Sequence, residues 1–271
     1  MVNFLLFVVL GFFVGGCGTL IGVGGGFILV PILLFLHPEQ SPEFITSISL
    51  AVVFCNALAG SIAYARQGRV DYRSGILFSA AAIPGAILGA YSTAYLPRHI
   101  FDVAFGVVMI AGSAFLLIRP GKAQEALGCA SPFRVTRNIV GVDGTAHAFH
   151  YNRIIALGVS FLVGYLSSVL GIGGGILHVP VLIHLLNFPI HIATATSHFV
   201  LAVTTLAGTG VHVYSGMFSQ GVGETLPLAA GVLLGAPVGA RISRRVQDIW
   251  VTRGLAVALA LVGIRTMIAA F

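Results

Sequence analysis

Gly22-Val23-Gly24-Gly25-Gly26-Phe27-Ile28-Leu29-Val30-Pro31 interrupts an apolar run that extends from about Val2 to Leu36. As one helix, its roughly 34 residues would be about 51 Å long at 1.5 Å per residue. The hydrocarbon core of a bilayer is only about 30 Å thick, so the run is not one straight span. Glycine is among the poorest helix formers. The break therefore falls at the glycines and leaves two helical pieces, the second over Phe27–Leu36 and too short for a full untilted crossing.

The same reading applies to the run at 153–186. There Gly171-Ile172-Gly173-Gly174-Gly175-Ile176-Leu177-His178-Val179-Pro180 repeats the first stretch at an offset of 149 residues. Thr46-Ser47-Ile48-Ser49 matches Thr194-Ala195-Thr196-Ser197, and Leu58-Ala59-Gly60 matches Leu206-Ala207-Gly208. Gly85-x-x-x-Gly89 matches Gly235-x-x-x-Gly239, a spacing that lets two helix backbones approach closely. Each half thus carries a broken first helix, a hydroxyl-bearing second and a Gly-x-x-x-Gly third. The fold expected is an all-α polytopic membrane protein of two homologous halves, with about eight apolar runs and up to ten helical segments. The halves are 1–118 and 153–271, joined by a polar connector at 119–152.

Composition agrees. Hydrophobic types make up 57% of the 271 residues and charged types 8%, against about 25% charged in soluble domains. That excludes a soluble globular protein and a disordered chain. The apolar residues come in long runs rather than in alternation, which excludes a porin-type barrel. The net charge of +6 sits between apolar runs, so it reports orientation in the bilayer and not nucleic-acid binding. Cysteines 17, 55 and 129 are odd in number, two of them within apolar runs, which speaks against a disulfide framework. The first apolar stretch lacks the basic start of a signal peptide and is expected to belong to the mature protein.

Basic residues cluster at Arg66, Arg69 and Arg73, in the connector, and at Arg241, Arg244, Arg245 and Arg253. The positive-inside rule assigns all three clusters to the cytoplasm. Four spans per half would put the first and last clusters on opposite sides. If each broken run instead doubles back, each half has five segments, the halves are inverted, and all three clusters lie inside with both termini outside. The second arrangement is preferred. In the connector, Phe133–Ile139 and Ala146–His150 alternate around an Asp143-Gly144 turn signal, which predicts a small β-hairpin.

Helices broken at membrane depth are tolerated where protein or a water-filled cavity satisfies the freed backbone. A restarting helix also points free N–H groups and a positive dipole end inward, an arrangement suited to an anion. Such a break in each half is the expected pointer to a transport site. The candidate binding residues are therefore Gly22, Gly24, Gly25 and Gly26 with Gly171, Gly173, Gly174 and Gly175. The second runs add a polar stripe: Thr46, Ser49, Asn56, Gly60 and Tyr64 in one half, and Thr194, Ser197, His198, Thr205, Gly208 and His212 in the other. His178 and His198 replace Leu29 and Leu50 of the first half. Both are expected near the second glycine break, binding the anion when protonated or carrying a coupling proton. Cys17 is read as a small buried residue that can offer a weak S–H donor, and Arg265 as a side chain that snorkels to the surface or meets substrate. His37, His99, His184 and His191 are expected near the interfaces.

These features resemble the sulfite exporter TauE/SafE family. The resemblance covers nearly the whole chain and rests on the paired Gly-x-Gly-Gly-Gly…Pro segments at 22–31 and 171–180, the hydroxyl-rich second runs, Arg66-Gln67-Gly68-Arg69-Val70-Asp71 and the polar connector. It implies transport of a small sulfur-containing anion, such as sulfite or an organosulfonate, across the cytoplasmic membrane of a prokaryote. The paired glycine segments then form the central site, and no cofactor is required.

Two other functions compete. A transition-metal permease would use His178, His198 and His212. An intramembrane enzyme would use Ser197 or Cys17 as nucleophile with His198 as base, but no nucleophile elbow and no His-Glu-x-x-His motif is present. A dinucleotide loop at Gly22–Gly26 is rejected because both copies lie in membrane-length runs. No ATP-binding motif is present, and few acidic residues lie within the runs (Asp102, Glu224 and Asp248 stand near run starts), which disfavours a carboxylate pathway for cations.

Overall fold

The computed structural model describes residues 2–118, 134–140, 146–243 and 248–269. The first half contains α1 (Val2–Ile21), α2 (Gly26–Leu36), α3 (Pro42–Ala65), α4 (Tyr72–Thr93) and α5 (Arg98–Ile118). Two strands follow, β1 (Arg134–Val140) and β2 (Ala146–Asn152). The second half contains α6 (Arg153–Leu170), α7 (Gly175–His184), α8 (Ile190–Tyr214), α9 (Met217–Ile242) and α10 (Asp248–Ala269). Six of the described helices, α1, α3, α4, α6, α8 and α9, are long and apolar enough to cross a membrane. This is an all-α polytopic membrane protein.

Local chemistry sets several helix starts. Ser41 caps α3 ahead of Pro42, and its hydroxyl accepts from the Phe44 N–H at 3.3 Å. Asn152 ends β2 and caps α6 by accepting from the Ile154 N–H at 2.9 Å. The strands pair antiparallel with Thr136 opposite His150, as the alternation predicts; the Asp143-Gly144 turn lies outside the described residues. Ser74 and Tyr151 hydroxyls meet at 2.9 Å, which docks the hairpin on the start of α4.

The packing crosses between halves. Gly11 of α1 lies against Leu228 of α9, Gly15 against Val232, and Gly239 against Gly16 and Leu20, so α1 and α9 run parallel. Correspondingly, Gly164 of α6 lies against Ala82 of α4, and Gly89 against Tyr165 and Ser168. The two Gly-x-x-x-Gly segments thus seat the broken helix of the opposite half. Helix α3 packs along α8, and α5 along α10.

The broken runs double back. α1 runs parallel to α9, yet His37 at the end of α2 meets Glu224 near the start of α9, with Nε2 2.9 Å from the carboxylate. At the far end, Gln67 Nε2 donates to the Ala240 carbonyl at 3.3 Å, and Arg137 stands 4.0 Å from Asp71. The α3–α4 loop, the hairpin and the end of α9 therefore share one end of the molecule. The described members of all three basic clusters lie there.

Candidate functional site

The two glycine breaks meet at the centre. Gly26 lies against the Ile172 backbone, and Gly175 lies reciprocally against the Val23 backbone. Gly24 touches Val53 and Leu201, and Gly173 touches Val53 and Thr205, all near the middle of α3 and α8. Gly22, Gly24, Gly25, Gly171, Gly173 and Gly174 have φ between 69° and 91°. Side chains avoid that region, which is why the turn needs glycine. At the mouth of each turn, Gly22 touches Thr194 and Gly171 touches Thr46.

Helices α2 and α7 both restart here, behind Gly25 and Gly174, and no side chain caps either one. The leading N–H groups of a helix have no intrahelical partner. Two uncapped, positive helix ends therefore face the same spot from opposite sides.

Two buried polar clusters flank that spot. The first gathers Thr19, Asn56, Tyr64 and His198, and the buried Ser197 precedes His198 on α8. Thr19 Oγ1 donates to Asn56 Oδ1 at 3.1 Å, and the Tyr64 hydroxyl donates to the Thr19 carbonyl at 2.7 Å. The Tyr64 and His198 rings meet edge to face at 5.4 Å. His198 Nδ1 lies 3.2 Å from the Thr194 carbonyl, while Asn56 Nδ2, Ser197 Oγ and His198 Nε2 have no partner among the described residues. Unpaired buried polar groups are costly, and a site that binds a polar ligand is one reason to keep them.

The second cluster surrounds a cavity of about 10 Å³, about the room of one water. Ser160, Ser167, Gly173, Gly174, His178 and Thr204 line it. Both His178 ring nitrogens and Ser167 Oγ lack a partner among the described residues. Its neighbour Phe78 meets the His178 ring edge at 5.9 Å.

The sequence expectation for the histidines divides here. His178 lies beside the second glycine break. His198 does not: it packs against Gly60 and Tyr64 of the first half, and Gly60 in turn lies against Thr19. The reason is the antiparallel crossing of α3 and α8, which carries the start of α8 to the end of α3. His212, at the other end of α8, stands 3.5 Å from Thr46 Oγ1 and 3.8 Å from Glu43. The three are thus held apart, and no group of three or more His, Cys, Asp or Glu among the described residues could hold a metal.

Other expectations are also corrected. Cys17 is exposed. The inward stripe of α1 runs through Gly11, Val14, Gly15 and Gly18, and at 100° per residue Cys17 falls off it. Ser197 Oγ makes no bond to His198, so the nucleophile–base contact of the enzyme reading is not formed. Ser49 Oγ donates to the Gly171 carbonyl at 2.6 Å and is a strut of the second turn. Arg265 is far from the breaks, beside Phe35 at the end of α2. Thr19 and Ser167 were missed by sequence reasoning; the signal was a hydroxyl one turn before each glycine break. Cys129 lies outside the described residues.

A family model for sulfite exporters, TauE/SafE, matches residues 7–266. The chain belongs to the TauE/SafE family. As a TauE/SafE protein it is 32% identical over 267 residues to the probable membrane transporter protein YunE of Bacillus subtilis, covering 96% of each chain. It is 27% identical over 214 residues to the probable membrane transporter protein MJ0441 of Methanocaldococcus jannaschii, covering 75% of this chain and 70% of that one. No solved structure matches. This TauE/SafE member is a membrane transporter.

Proposed function

We propose that the protein carries a small sulfur-containing anion, sulfite or an organosulfonate, across the cytoplasmic membrane of a prokaryote. The anion binds between the halves at the glycine breaks. The observation that carries this reading is the meeting of two uncapped helix N-termini at mid-height, with orphaned donors on both sides. N–H groups and the dipole ends of α2 and α7 favour a negative charge in a low-dielectric setting. Asn56 Nδ2 and Ser197 Oγ–H supply further donors for oxyanion oxygens, and because His198 Nδ1 donates to the Thr194 carbonyl, its Nε2 adds a donor when the ring is protonated. His178 and His198 are the candidates for carrying a coupling proton.

The two halves act as inverted repeats, and alternating access follows from one half moving against the other. The end that gathers Arg66–Arg73, the hairpin and Arg241 faces the cytoplasm. The family description supports the sulfur anion.

The test is uptake of radiolabelled sulfite into liposomes, with and without a pH gradient, for the wild type, Ser197→Ala and His198→Gln. Saturable uptake that weakens about ten-fold in Ser197→Ala, as expected for one lost charge-assisted hydrogen bond, supports the site. Gradient-driven uptake that becomes gradient-independent in His198→Gln supports proton coupling. Absence of flux for sulfite and a panel of organosulfonates, in protein with an unchanged melting curve, overturns the anion reading.

A further inference from the structure

A groove of about 620 Å³ opens between α2, α5 and α10, at the end opposite the hairpin. Pro31, Leu34 and Phe35 form its apolar wall, and Arg98, Asp102 and Arg265 its polar part. The two arginines are in different states. Arg98 is used up: Nε donates to Asp102 at 3.1 Å, Nη1 to the Gln40 carbonyl at 2.8 Å and Nη2 to the Leu34 carbonyl at 3.1 Å. Those bonds close the last turn of α2 and neutralise Asp102. Arg265 is exposed, with its guanidinium carbon 5.1 Å from the Phe35 ring centroid, and it has no carboxylate partner among the described residues.

Its surroundings are those of a lipid-facing surface. On α10, Leu261, Ile264 and Ile268 are 65%, 51% and 72% exposed, and Phe35 beside them is 71% exposed. Phe35 offers this cation a ring face but no counter-charge, and an anion at the apolar surface would supply one. None of the residues lining the groove belongs to the glycine breaks, and Leu29, Leu33, Phe101 and Phe105 are fully buried in one apolar core cluster. The groove is thus separate from the site at the glycine breaks. An anion carrying acyl chains fits both the charge and the apolar surround.

We propose that this groove holds the phosphodiester of an anionic glycerophospholipid, paired with Arg265. The guanidinium fork matches phosphate oxygens in a two-point geometry. The volume is that of sites that enclose small ligands, and the acyl chains lie along the exposed faces of α2 and α10. The bound lipid would pin α2 to α10. The inference does not depend on which anion is transported.

The experiment uses full-length protein, delipidated in a mild detergent and titrated with phosphatidylglycerol, with retained lipid counted by native mass spectrometry and stability followed by thermal unfolding. Wild type is expected to retain one more tightly held phosphatidylglycerol than Arg265→Gln. The titration midpoint is expected to rise about ten-fold or more in Arg265→Gln, with Arg265→Lys in between. Melting of each variant without lipid shows that the fold is intact. Inorganic phosphate and sulfite at the same concentration are the free-anion arms and are expected not to displace the lipid. Equal retention by wild type and Arg265→Gln overturns the proposal. Displacement by inorganic phosphate also overturns it, in favour of a free-anion site.

Discussion

A single methyl group at Gly26 is the sharpest perturbation of the central contact. A Cβ on Gly26 would stand 2.7 Å from the Ile172 carbonyl oxygen and 2.8 Å from its carbonyl carbon. Ordinary carbon contacts lie at about 3.5–4.0 Å, so the two turns must part by about 1 Å. The opposing atoms are backbone, in turns whose φ values leave little room to adjust. Overpacking of this kind costs about 1–3 kcal/mol, or roughly 5 °C in melting temperature for a chain of this size. Gly175→Ala meets the Val23 backbone in the same way, at 2.5–2.6 Å. Because one separation makes room for both methyls, the double variant Gly26→Ala/Gly175→Ala is expected to cost clearly less than the sum of the singles. Gly158→Ala is the control: a Cβ there meets nothing within 4 Å, and exchanging a helical glycine for alanine is expected to raise stability by about 0.5–1 kcal/mol. The assay is thermal unfolding in detergent, paired with sulfite uptake in liposomes. If Gly26→Ala melts with Gly158→Ala, or if the double variant equals the sum, the two turns are not in the contact described.

The matched serines Ser49 and Ser197 should separate in the same melting assay. Ser49→Ala removes a 2.6 Å bond and orphans the Gly171 carbonyl, at a cost of about 1–3 kcal/mol; Ser197→Ala removes a hydroxyl with no partner among the described residues and should leave stability unchanged while weakening uptake. Arg98→Ala leaves Asp102 and the last carbonyls of α2 unpaired and should cost about 3 kcal/mol. Arg98→Lys should recover less than half of that, since one ammonium cannot span the same fork. Tyr64→Phe deletes the 2.7 Å bond to the Thr19 carbonyl and should cost about 1 kcal/mol, read by the same melting curves.

Much of this molecule was legible from local chemistry. The excess length of the runs at 2–36 and 153–186, set against bilayer thickness, required a break in each, and glycine's poor helix propensity located it at 22–26 and 171–175. Alternation and an Asp-Gly pair sufficed for the hairpin strands. Hydroxyls in long apolar runs identified Thr46, Ser49, Thr194 and Ser197 as interior, because polar groups avoid lipid. These inferences use periods and lengths, which a linear sequence contains in full.

Partnership was decided only by the tertiary structure. The spacing of Gly85-x-x-x-Gly89 and Gly235-x-x-x-Gly239 announces a close crossing, yet nothing in it says that α4 takes α6 and α9 takes α1. The same exchange carried His198 to the first half, turned Ser49 into a strut while leaving Ser197 unpartnered, and kept His178, His198 and His212 apart. Cys17 missed the interior because the stripe of α1 that packs on α9 passes it by. The physical reason is that a helix presents every residue to some neighbour, and which neighbour depends on a crossing fixed by contacts more than a hundred residues apart in the chain.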